Sequence, residues 1–356
     1  MAWKSFGRVT ERGRIRSRTA FNNRRFLDLS LRFSQTWPSM ISHRLQDTAL
    51  RYFLEVVRSG SVSEAAARLS VSPSAVSRQV AGLEDLLGLP LFERRPRGMV
   101  PSAAGELLAA HARRGALEAD RVVSDIQALR GLRRGLIRVC ASGGFVVEFL
   151  PRAMALFRAE HPGMQFHLRA AAPAAVTQAV LDGDADIGLT YSRAAERDIE
   201  VQHRQVSPVI AIMRPDHPLA RHASVTLAQM HPYPIALPDG DNTARQLFDI
   251  ACSQRRLVFE PALVTGQFEA LTHFVLHGGG LSLAGEVTVR ERMRRGELHA
   301  AQIRERAVNG RAIELQTLAG RTLPEGVHAF LNHLRALLPA PRAATIPPNP
   351  QNDTPP

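Results

Sequence analysis

The sequence predicts a multidomain chain in which a small helical unit and one long helix precede a larger α/β region with two lobes. Three observations support this order. Closely spaced amphipathic helices occupy residues 45–102, an apolar seam continues along residues 103–134, and short apolar strands then alternate with helices to residue 338. Apolar residues at helical spacing predict helices, and alternation of strands with helices predicts parallel sheets.

The composition is that of a globular protein. Hydrophobic residues make up 45% and charged residues 22% of the 356 positions, which is ordinary for chains that bury a core. The sequence has no apolar run of membrane-spanning length and no secretion leader, so we expect a cytoplasmic protein with no membrane partner. Cys140 and Cys252 are too few for a disulfide framework, and no metal-ligand spacing is present, so we expect no cofactor and no metal.

The formal charge of +12 is concentrated at the N-terminus. Residues 1–44 contain ten basic and two acidic residues, a net +8, which leaves +4 for the rest of the chain. This segment has no sustained amphipathic period, so we interpret it as a disordered extension, or as a start assigned upstream of Met40. An auxiliary DNA-gripping arm is the alternative. We also expect disorder in the Pro-rich residues 339–356.

The first two helices of the small unit follow Asp47 and Ser61. The first ends near Gly60 and carries apolar residues at i, i+3, i+4 and i+7, namely Leu50, Phe53, Leu54 and Val57. The second begins with Ser61 and Glu64 at the S-x-x-E spacing of a capping box, in which two side chains satisfy two backbone N–H groups reciprocally.

The third helix begins at a proline. In "SVSPSAVSRQV", residues 70–80, Ser72 is a suitable N-cap and Pro73 takes the first helical position, where an N–H would have no partner. We expect the helix to continue to Leu87 with an inward face of Val76, Val80, Leu83 and Leu87. A two-residue link to the preceding helix predicts a helix-turn-helix, whose second helix enters the major groove of DNA.

The exposed start of the third helix carries the candidate base-reading residues Pro73, Ser74, Ser77 and Arg78. Small side chains let the helix approach the groove, and Arg78 can form two hydrogen bonds to guanine while Ser77 contacts a base or a phosphate. An ordinary surface helix is the alternative for this pattern taken alone.

A hairpin is predicted after the third helix. Leu91 and Phe92 face the core, and a glycine turn presents Arg94, Arg95 and Arg97 near its tip. Arginines beside a recognition helix suit phosphate contact or insertion into a narrow minor groove, although a charge run is more often a solvated surface. Residues 45–102 therefore predict an all-α winged helix-turn-helix.

This segment resembles the DNA-binding domain of LysR-type transcriptional regulators. The family pattern can be followed through Ala65, Ala66, Leu69, Ser72, Ala75, Ser77, Leu83, Glu84, Leu86 or Leu87, Gly88, Leu91, Phe92, Arg94, Ala104 and Gly105. Two positions depart from it. Pro73 replaces a usual glutamine, which removes an amide that could read adenine, and Pro101-Ser102 replaces Leu-Thr, although Ser102 can still cap the next helix.

The resemblance implies that the long helix, residues 103–134, is a dimerising linker that pairs two recognition helices on one operator. Its predicted seam consists of Leu107, Leu108, His111, Ala112, Leu117, Val122, Ile126 and Leu129. Packing of this seam on its own domain is the alternative. Residues 131–135 are expected to close the helix as a hinge, and we expect a homodimer or homotetramer.

Residues 135–338 are expected to form two lobes, the second at about 209–304. Strands are predicted at 136–141, 165–170, 185–191, 207–213, 233–238, 260–266 and 281–285, with a returning strand in "AIELQTLAG". Helices are predicted at about 145–160, at 174–183, from about Thr243, up to His277 and after Pro324. The resemblance implies the two-lobed, periplasmic-binding-protein-like effector domain of the family.

Effector candidates lie where helices begin at the carboxyl ends of strands. They are Ser142, Gly143 and Gly144 in the first lobe, and Asn242, Thr243 and Gln267 in the second. Helix N-termini favour anions, and Arg245 lies one turn from the second site, so we expect a small organic acid that bridges the lobes. Each of these residues could equally be a plain N-cap.

The sequence therefore predicts a LysR-type DNA-binding regulator, not an enzyme, whose partners are double-stranded promoter DNA and a small-molecule effector. An α/β solute-binding protein or an enzyme is the alternative. The helix-turn-helix ahead of the lobes and the lack of a catalytic constellation argue against that alternative. A constitutive architectural DNA binder would leave the predicted cleft unexplained.

Overall fold

The computed structural model describes residues 45–95, 98–129 and 135–338. Three helices form the N-terminal head: α1 (Thr48–Ser59), α2 (Val62–Leu69) and α3 (Pro73–Leu87). Side-chain oxygens of Asp47, Ser61 and Ser72 accept hydrogen bonds from the first-turn N–H groups, which is how these residue types start helices. Phe53 and Val76 are fully buried between the helices. The predicted helix order is confirmed.

Two predicted details of the head are wrong. Glu64 does not complete a capping box, because its carboxylate pairs with Arg68 at 2.6 Å and the Ser61 N–H donates to the Ser59 hydroxyl instead. Leu87 does not face inward. Its side chain is 48% exposed, and Leu86 beside it is more exposed still, because the last turn of α3 extends past the packed helices.

The predicted hairpin is present as β1 (Phe92–Arg95) and β2 (Gly98–Pro101), paired antiparallel. The Met99 N–H donates to the Gly60 carbonyl at 2.8 Å, and a Cβ on Gly98 would lie 2.6 Å from that same oxygen. Only glycine tolerates so close an approach, which fixes the hairpin against the turn between α1 and α2.

The linker helix α4 (Ala103–Leu129) begins as predicted, with the Ser102 hydroxyl accepting from the Gly105 N–H. Its apolar residues do not form one seam. Leu108 and Ala112 pack in the head, and Leu117 packs against the first lobe of the α/β region. The exposed residues of the predicted seam are Leu107, His111 and Ile126. The prediction of a single seam is wrong because two different surfaces cover two faces of the helix. The Leu129 side chain and the predicted hinge at 131–134 lie outside the described residues.

The first lobe is built from β3 (Gly135–Ser142), α5 (Phe149–Glu160), β4 (Met164–Ala171), α6 (Pro173–Leu181), β5 (Ile187–Ser192) and β6 (Ile199–Val206). The second contains β7 (Ile210–Met213), β8 (Ser224–Val225), α7 (Leu227–Met230), β9 (Ile235–Leu237), α8 (Thr243–Arg255), β10 (Leu263–Val264), α9 (Phe268–Leu276), β11 (Leu281–Ala284), α10 (Glu286–Arg294) and β12 (His299–Ile303). The chain returns to the first lobe as β13 (Ala312–Leu318) and α11 (Glu325–Leu337).

The two lobes, here lobe I and lobe II, have similar sheets. Lobe I has the strand order β4-β3-β5-β13-β6 and lobe II has β10-β9-β11-β7-β12-β8. In each sheet the neighbouring strands are parallel except where β13 or β7 runs antiparallel to its neighbours. Helices α5 and α11 cover one face of lobe I around Phe157 and Phe330, and α6 covers the other. Two connections, residues 207–209 and 304–311, join the lobes.

Several predicted boundaries change. The first helix of lobe I does not begin near Phe145, because residues Gly143–Val146 form a separate 3-10 helix and α5 starts at Phe149. The predicted strand at 260–266 shortens to Leu263–Val264. Strands β6 and β12 and helix α10 are not among the predicted elements.

Lobe I contacts the head and the linker helix through the turn at residues 182–184. Arg58 of α1 donates to the Asp182 carbonyl at 3.4 Å and pairs with Asp184 at 3.3 Å. Arg113 of α4 pairs with Asp182 at 3.1 Å. A Cβ on Gly183 would lie 3.2 Å from the Leu117 methyl carbons. Lobe I is therefore held against both elements.

Candidate nucleic-acid interface and effector cleft

Helix α3 presents a polar face at its N-terminal end. Val76 and Val80 point into the head and are buried, and the four candidate base-reading residues Pro73, Ser74, Ser77 and Arg78 are exposed. This separation follows from the helical period, because residues 76 and 80 share one face and residues 74, 77 and 78 lie away from it. The Ser74 hydroxyl is 3.0 Å from that of Ser72, so the helix cap also engages one of the candidates.

Arg78 is free to bind an external group. Among the described residues, no carboxylate lies within ion-pair distance of its guanidinium. Arg68 of α2 differs, because it pairs with both Glu55 and Glu64, and these two carboxylates raise its pKa. An exposed guanidinium without a carboxylate keeps all five donors for a base or a phosphate.

The hairpin of β1 and β2, here called the wing, packs on α1 and carries less free charge than its sequence indicates. Arg95 pairs with Glu93 at 2.8 Å on the same strand, so its charge is partly compensated. The strand position of Arg94 is fixed by pairing with Met99, but its side chain lies outside the described part of the chain, as does the whole of Arg97. Phe92 packs against Phe53 with ring centres 5.2 Å apart, which holds the wing on the head.

The lobe I candidates lie at the end of β3. The Ser142 hydroxyl is buried and hydrogen-bonded to the Thr190 hydroxyl at 2.9 Å. Gly143 and Gly144 follow in the short 3-10 helix. A Cβ on Gly144 would lie 2.7 Å from the Thr288 methyl carbon. These glycines therefore allow lobe I to approach lobe II closely.

The lobe II candidates divide into a helix cap and a free hydroxyl. Asn242 is the N-cap of α8 and accepts from the Ala244 N–H at 2.8 Å. The Thr243 hydroxyl is buried and has no hydrogen-bond partner among the described residues, which is unfavourable unless a ligand supplies one. Gln267 is exposed and its side chain does not cap α9. Arg245 pairs with Asp249 at 2.8 Å, so it is not a free cation for an effector.

The contact between the lobes also involves residues that the sequence does not predict. Val287 at the start of α10 packs into the lobe I core. A Cβ on Gly285 would lie 2.1 Å from the Tyr191 hydroxyl, and the Arg311 guanidinium lies over the Tyr191 ring, 3.9 Å from its centre. Burial raises the pKa of Tyr191 although Arg311 opposes the change. Nothing local marks Arg311 in the sequence, because its surroundings come from distant segments.

Two family models match the chain. The model described as "Bacterial regulatory helix-turn-helix protein, lysR family" matches residues 48–106, and "LysR substrate binding domain" matches residues 130–339. None of the helices within the described residues is long and apolar enough to cross a membrane.

Two relatives match most of this chain. An uncharacterized HTH-type transcriptional regulator of Escherichia coli K12, YeiE, is 32% identical over 249 residues, 70% of this chain and 83% of the relative. The SDS degradation transcriptional activation protein of a Pseudomonas species is 30% identical over 290 residues, 79% of this chain and 92% of the relative.

A solved structure of full-length OxyR from Pseudomonas aeruginosa has a TM-score of 0.60 at 21% identity and covers 81% of this chain and 94% of that one. This likeness supports the fold alone. With the helix-turn-helix head, the two-lobed domain and both family models in agreement, the chain belongs to the LysR family of transcriptional regulators.

Proposed function

We propose that the chain binds promoter DNA through α3 and the wing, and that a small anionic effector in the cleft between the lobes controls this binding or its transcriptional outcome. The family supplies the general role, since its two models describe a bacterial regulatory helix-turn-helix and a substrate-binding domain. The single observation that carries the DNA-binding residues is the exposed N-terminal face of α3, where Arg78 has no carboxylate partner among the described residues.

Each surface of the head has a distinct proposed task. Ser77 and Arg78 read base edges in the major groove, and Pro73 and Ser74 let the helix end lie close to the bases. The wing arginines Arg94, Arg95 and Arg97 bind the phosphate backbone and contribute affinity that does not depend on sequence. Loss of one phosphate contact should reduce the salt slope of binding by about one unit.

We assign one range of residues to each proposed function. Residues 45–102 form the DNA-binding domain, residues 103–134 the linker, and residues 135–338 the effector domain. The exposed residues Leu107, His111 and Ile126 form the dimerising face of α4, since an apolar ridge on an otherwise charged helix packs on a partner helix. Two chains would then place two α3 helices on one operator.

The effector site is proposed at the cleft candidates Ser142, Gly143 and Gly144 on lobe I and Asn242, Thr243 and Gln267 on lobe II. The strongest support is the buried hydroxyl of Thr243, which has no hydrogen-bond partner within the part of the chain that the structure describes, because a native chain rarely buries a hydroxyl without a partner. An effector that binds the two lobes better in one arrangement than in another would shift their populations.

The test of the DNA-binding proposal is the affinity of Arg78→Ala for the promoter of the protein's own gene, measured by fluorescence anisotropy beside random DNA of equal length. Loss of a bidentate base contact should cost about 1–3 kcal/mol on the operator and much less on random DNA. Arg214→Ala is the matched control, because Arg214 is also an exposed arginine but lies on lobe II. Equal weakening on both DNAs would make Arg78 a phosphate contact, and no weakening would remove α3 from the interface.

A further inference from the structure

One segment of the head fastens α3 to the linker helix. This connecting segment, residues 88–91, runs from the end of α3 to the first strand of the wing. Its last residue, Leu91, is fully buried. The Leu91 N–H donates to the Glu84 carboxylate of α3 at 2.7 Å, and the Leu91 carbonyl accepts from the Ser102 N–H at 2.9 Å. Because Ser102 caps α4, one residue is bonded to the end of one helix and the start of the other.

The start of α4 also lies against the connecting segment. The Ser102 hydroxyl donates to the Pro90 carbonyl at 2.6 Å and accepts from the Gly105 N–H at 3.1 Å. A Cβ on Gly105 would lie 2.1 Å from the Leu91 carbonyl oxygen, so any other residue would have to move α4 away. Glycine at this position therefore lets the helix backbone contact the connecting segment directly.

Hydrogen bonds and apolar contacts contribute differently to the attachment of α4. Leu108, Ala109 and Ala112 pack in the head core, and apolar contacts of this kind are non-directional. Hydrogen bonds weaken when their angle changes. The bonds that Glu84 and Ser102 make on the two sides of Leu91 are therefore the contacts best suited to fix the orientation of α3 relative to α4.

A small change in this orientation would have a large effect at the DNA. Helix α3 has 15 residues, so its base-reading end lies about 20 Å from the connecting segment at the rise of an α-helix. A rotation of about 10° at Glu84 would move that end by about 3.5 Å, which is close to the rise of one base pair. When two heads are joined through α4, such a rotation changes the distance between the two α3 helices.

We infer that Glu84 and Ser102 are positioning residues that determine the separation of the two half-sites on DNA. This inference rests on the proposed DNA binding by α3 and on the proposed pairing of two chains through α4. Both residues act through the backbone of the connecting segment, and the base-reading residues lie at the other end of α3. Glu84 and Ser102 should therefore affect which separation is bound, and not which bases are read.

The test is selection of DNA by the full-length protein from a random duplex pool long enough for two half-sites, followed by sequencing of the bound DNA. We expect the parent to enrich one half-site sequence at one dominant separation, because a dimer of fixed geometry fits half-sites at a fixed distance. Glu84→Ala should enrich the same half-site sequence over a broader range of separations. Glu84→Gln keeps an oxygen that can accept from the Leu91 N–H, so it should select the single separation of the parent.

Asp85→Ala is the matched control, because it removes an exposed carboxylate from the next position of α3 and should select DNA like the parent. Fluorescence anisotropy on the selected DNA measures the size of the effect. One base pair inserted between the half-sites should weaken parent binding about 10-fold or more, since the second α3 loses its base contacts. The same insertion should weaken Glu84→Ala by less than about 3-fold.

Ser102→Ala covers the case in which Glu84→Ala fails to fold. It removes the hydroxyl bond to Pro90 from the α4 side and should broaden the separations in the same way. A single separation in Glu84→Ala, or in Ser102→Ala where Glu84→Ala does not fold, would overturn the inference. Loss of the half-site sequence in the variant would also overturn it, because the residue would then only keep α3 folded.

The parent protein separates this inference from the proposed function on which it rests. A parent that enriches one half-site sequence without a preferred separation would overturn the role of Glu84 and Ser102 and leave DNA binding by α3 intact. A parent that enriches no sequence at all would overturn the proposed DNA binding itself, and the inference with it.

Discussion

At the scale of single residues, the buried carboxylate of Asp186 organises one end of the lobe I sheet. It accepts from the backbone N–H and the guanidinium of Arg138 at 2.8 and 2.9 Å, and from Arg321 at 2.8 Å. Burial alone would raise the pKa of Asp186, but Arg138 and Arg321 outweigh it and hold the pKa below its usual value. The ionised form therefore stabilises the folded chain.

We expect Asp186→Asn to lower the free energy of unfolding by about 3–5 kcal/mol at neutral pH, because it leaves the buried guanidinium of Arg321 without its carboxylate. A depressed carboxyl pKa contributes stability above about pH 4, and this is lost as the pH falls through the folded value. Denaturant unfolding of parent and variant between pH 3 and 7 checks both points. The parent protein should lose this contribution to the free energy of unfolding as the pH falls, and the Asp186→Asn variant should not. Asp216→Asn, in an exposed pair with Arg214, should leave the stability unchanged.

The residues at the junction of the two lobes differ in whether the neighbouring sequence predicts them. Asn242 and Thr243 follow from the start of a helix, which a few neighbouring residues define. Arg311 does not, because Ser207, Ala284 and Tyr191 reach it from three other parts of the chain. The sequence shows a lone arginine before a strand, and only the fold reveals that none of the carboxylates in the described ranges lies within ion-pair distance of it.

At the scale of elements, local capping and apolar spacing predict most helices of the head and lobe I. The strands that these patterns miss form because they pair with distant strands. Strand β6 contains charged or polar residues at five of its eight positions, and it forms because β13 pairs with it along its length. The linker helix is likewise only partly predictable from local sequence patterns. Its apolar residues are visible in the sequence, but which of them face the head, lobe I or a partner depends on tertiary packing.

We expect Leu107→Asp in α4 to weaken dimerisation, because Leu107 is 76% exposed on the proposed dimer face and a carboxylate cannot be buried there without a partner. Sedimentation velocity across a range of concentrations measures the monomer fraction. Val258→Asp is the matched control, since Val258 is 78% exposed on lobe II. A parent-like dimer in the Leu107 variant would place the dimer interface elsewhere.

At the scale of the whole molecule, the packing of Leu117 on Gly183 joins the linker helix to lobe I. Gly183 and Gly320 both have a left-handed backbone, with φ of +74° and +69°, so alanine costs about 1 kcal/mol or more at either position. Only at Gly183 would the new methyl also press on the Leu117 side chain, because the Cβ position of Gly320 has no atom within 4 Å.

We therefore expect Gly183→Ala to increase hydrogen exchange in the part of α4 around Leu117, and Gly320→Ala to leave that exchange unchanged at similar overall stability. Hydrogen exchange followed by mass spectrometry on peptides from residues 110–125 makes the comparison. If both variants exchange alike, the linker helix is not held by this turn, and the contact of Leu117 contributes little to the docking of lobe I.

The attachment of lobe I at residues 182–184 has a consequence for how a signal reaches the DNA. Because Arg58, Arg113 and Leu117 tie lobe I to the head and the linker, these three parts move as one block in the frame of the operator. A change in the angle between the lobes then appears on the promoter as a displacement of lobe II alone. Lobe II is consequently the part of the molecule whose position relative to the DNA would report the effector.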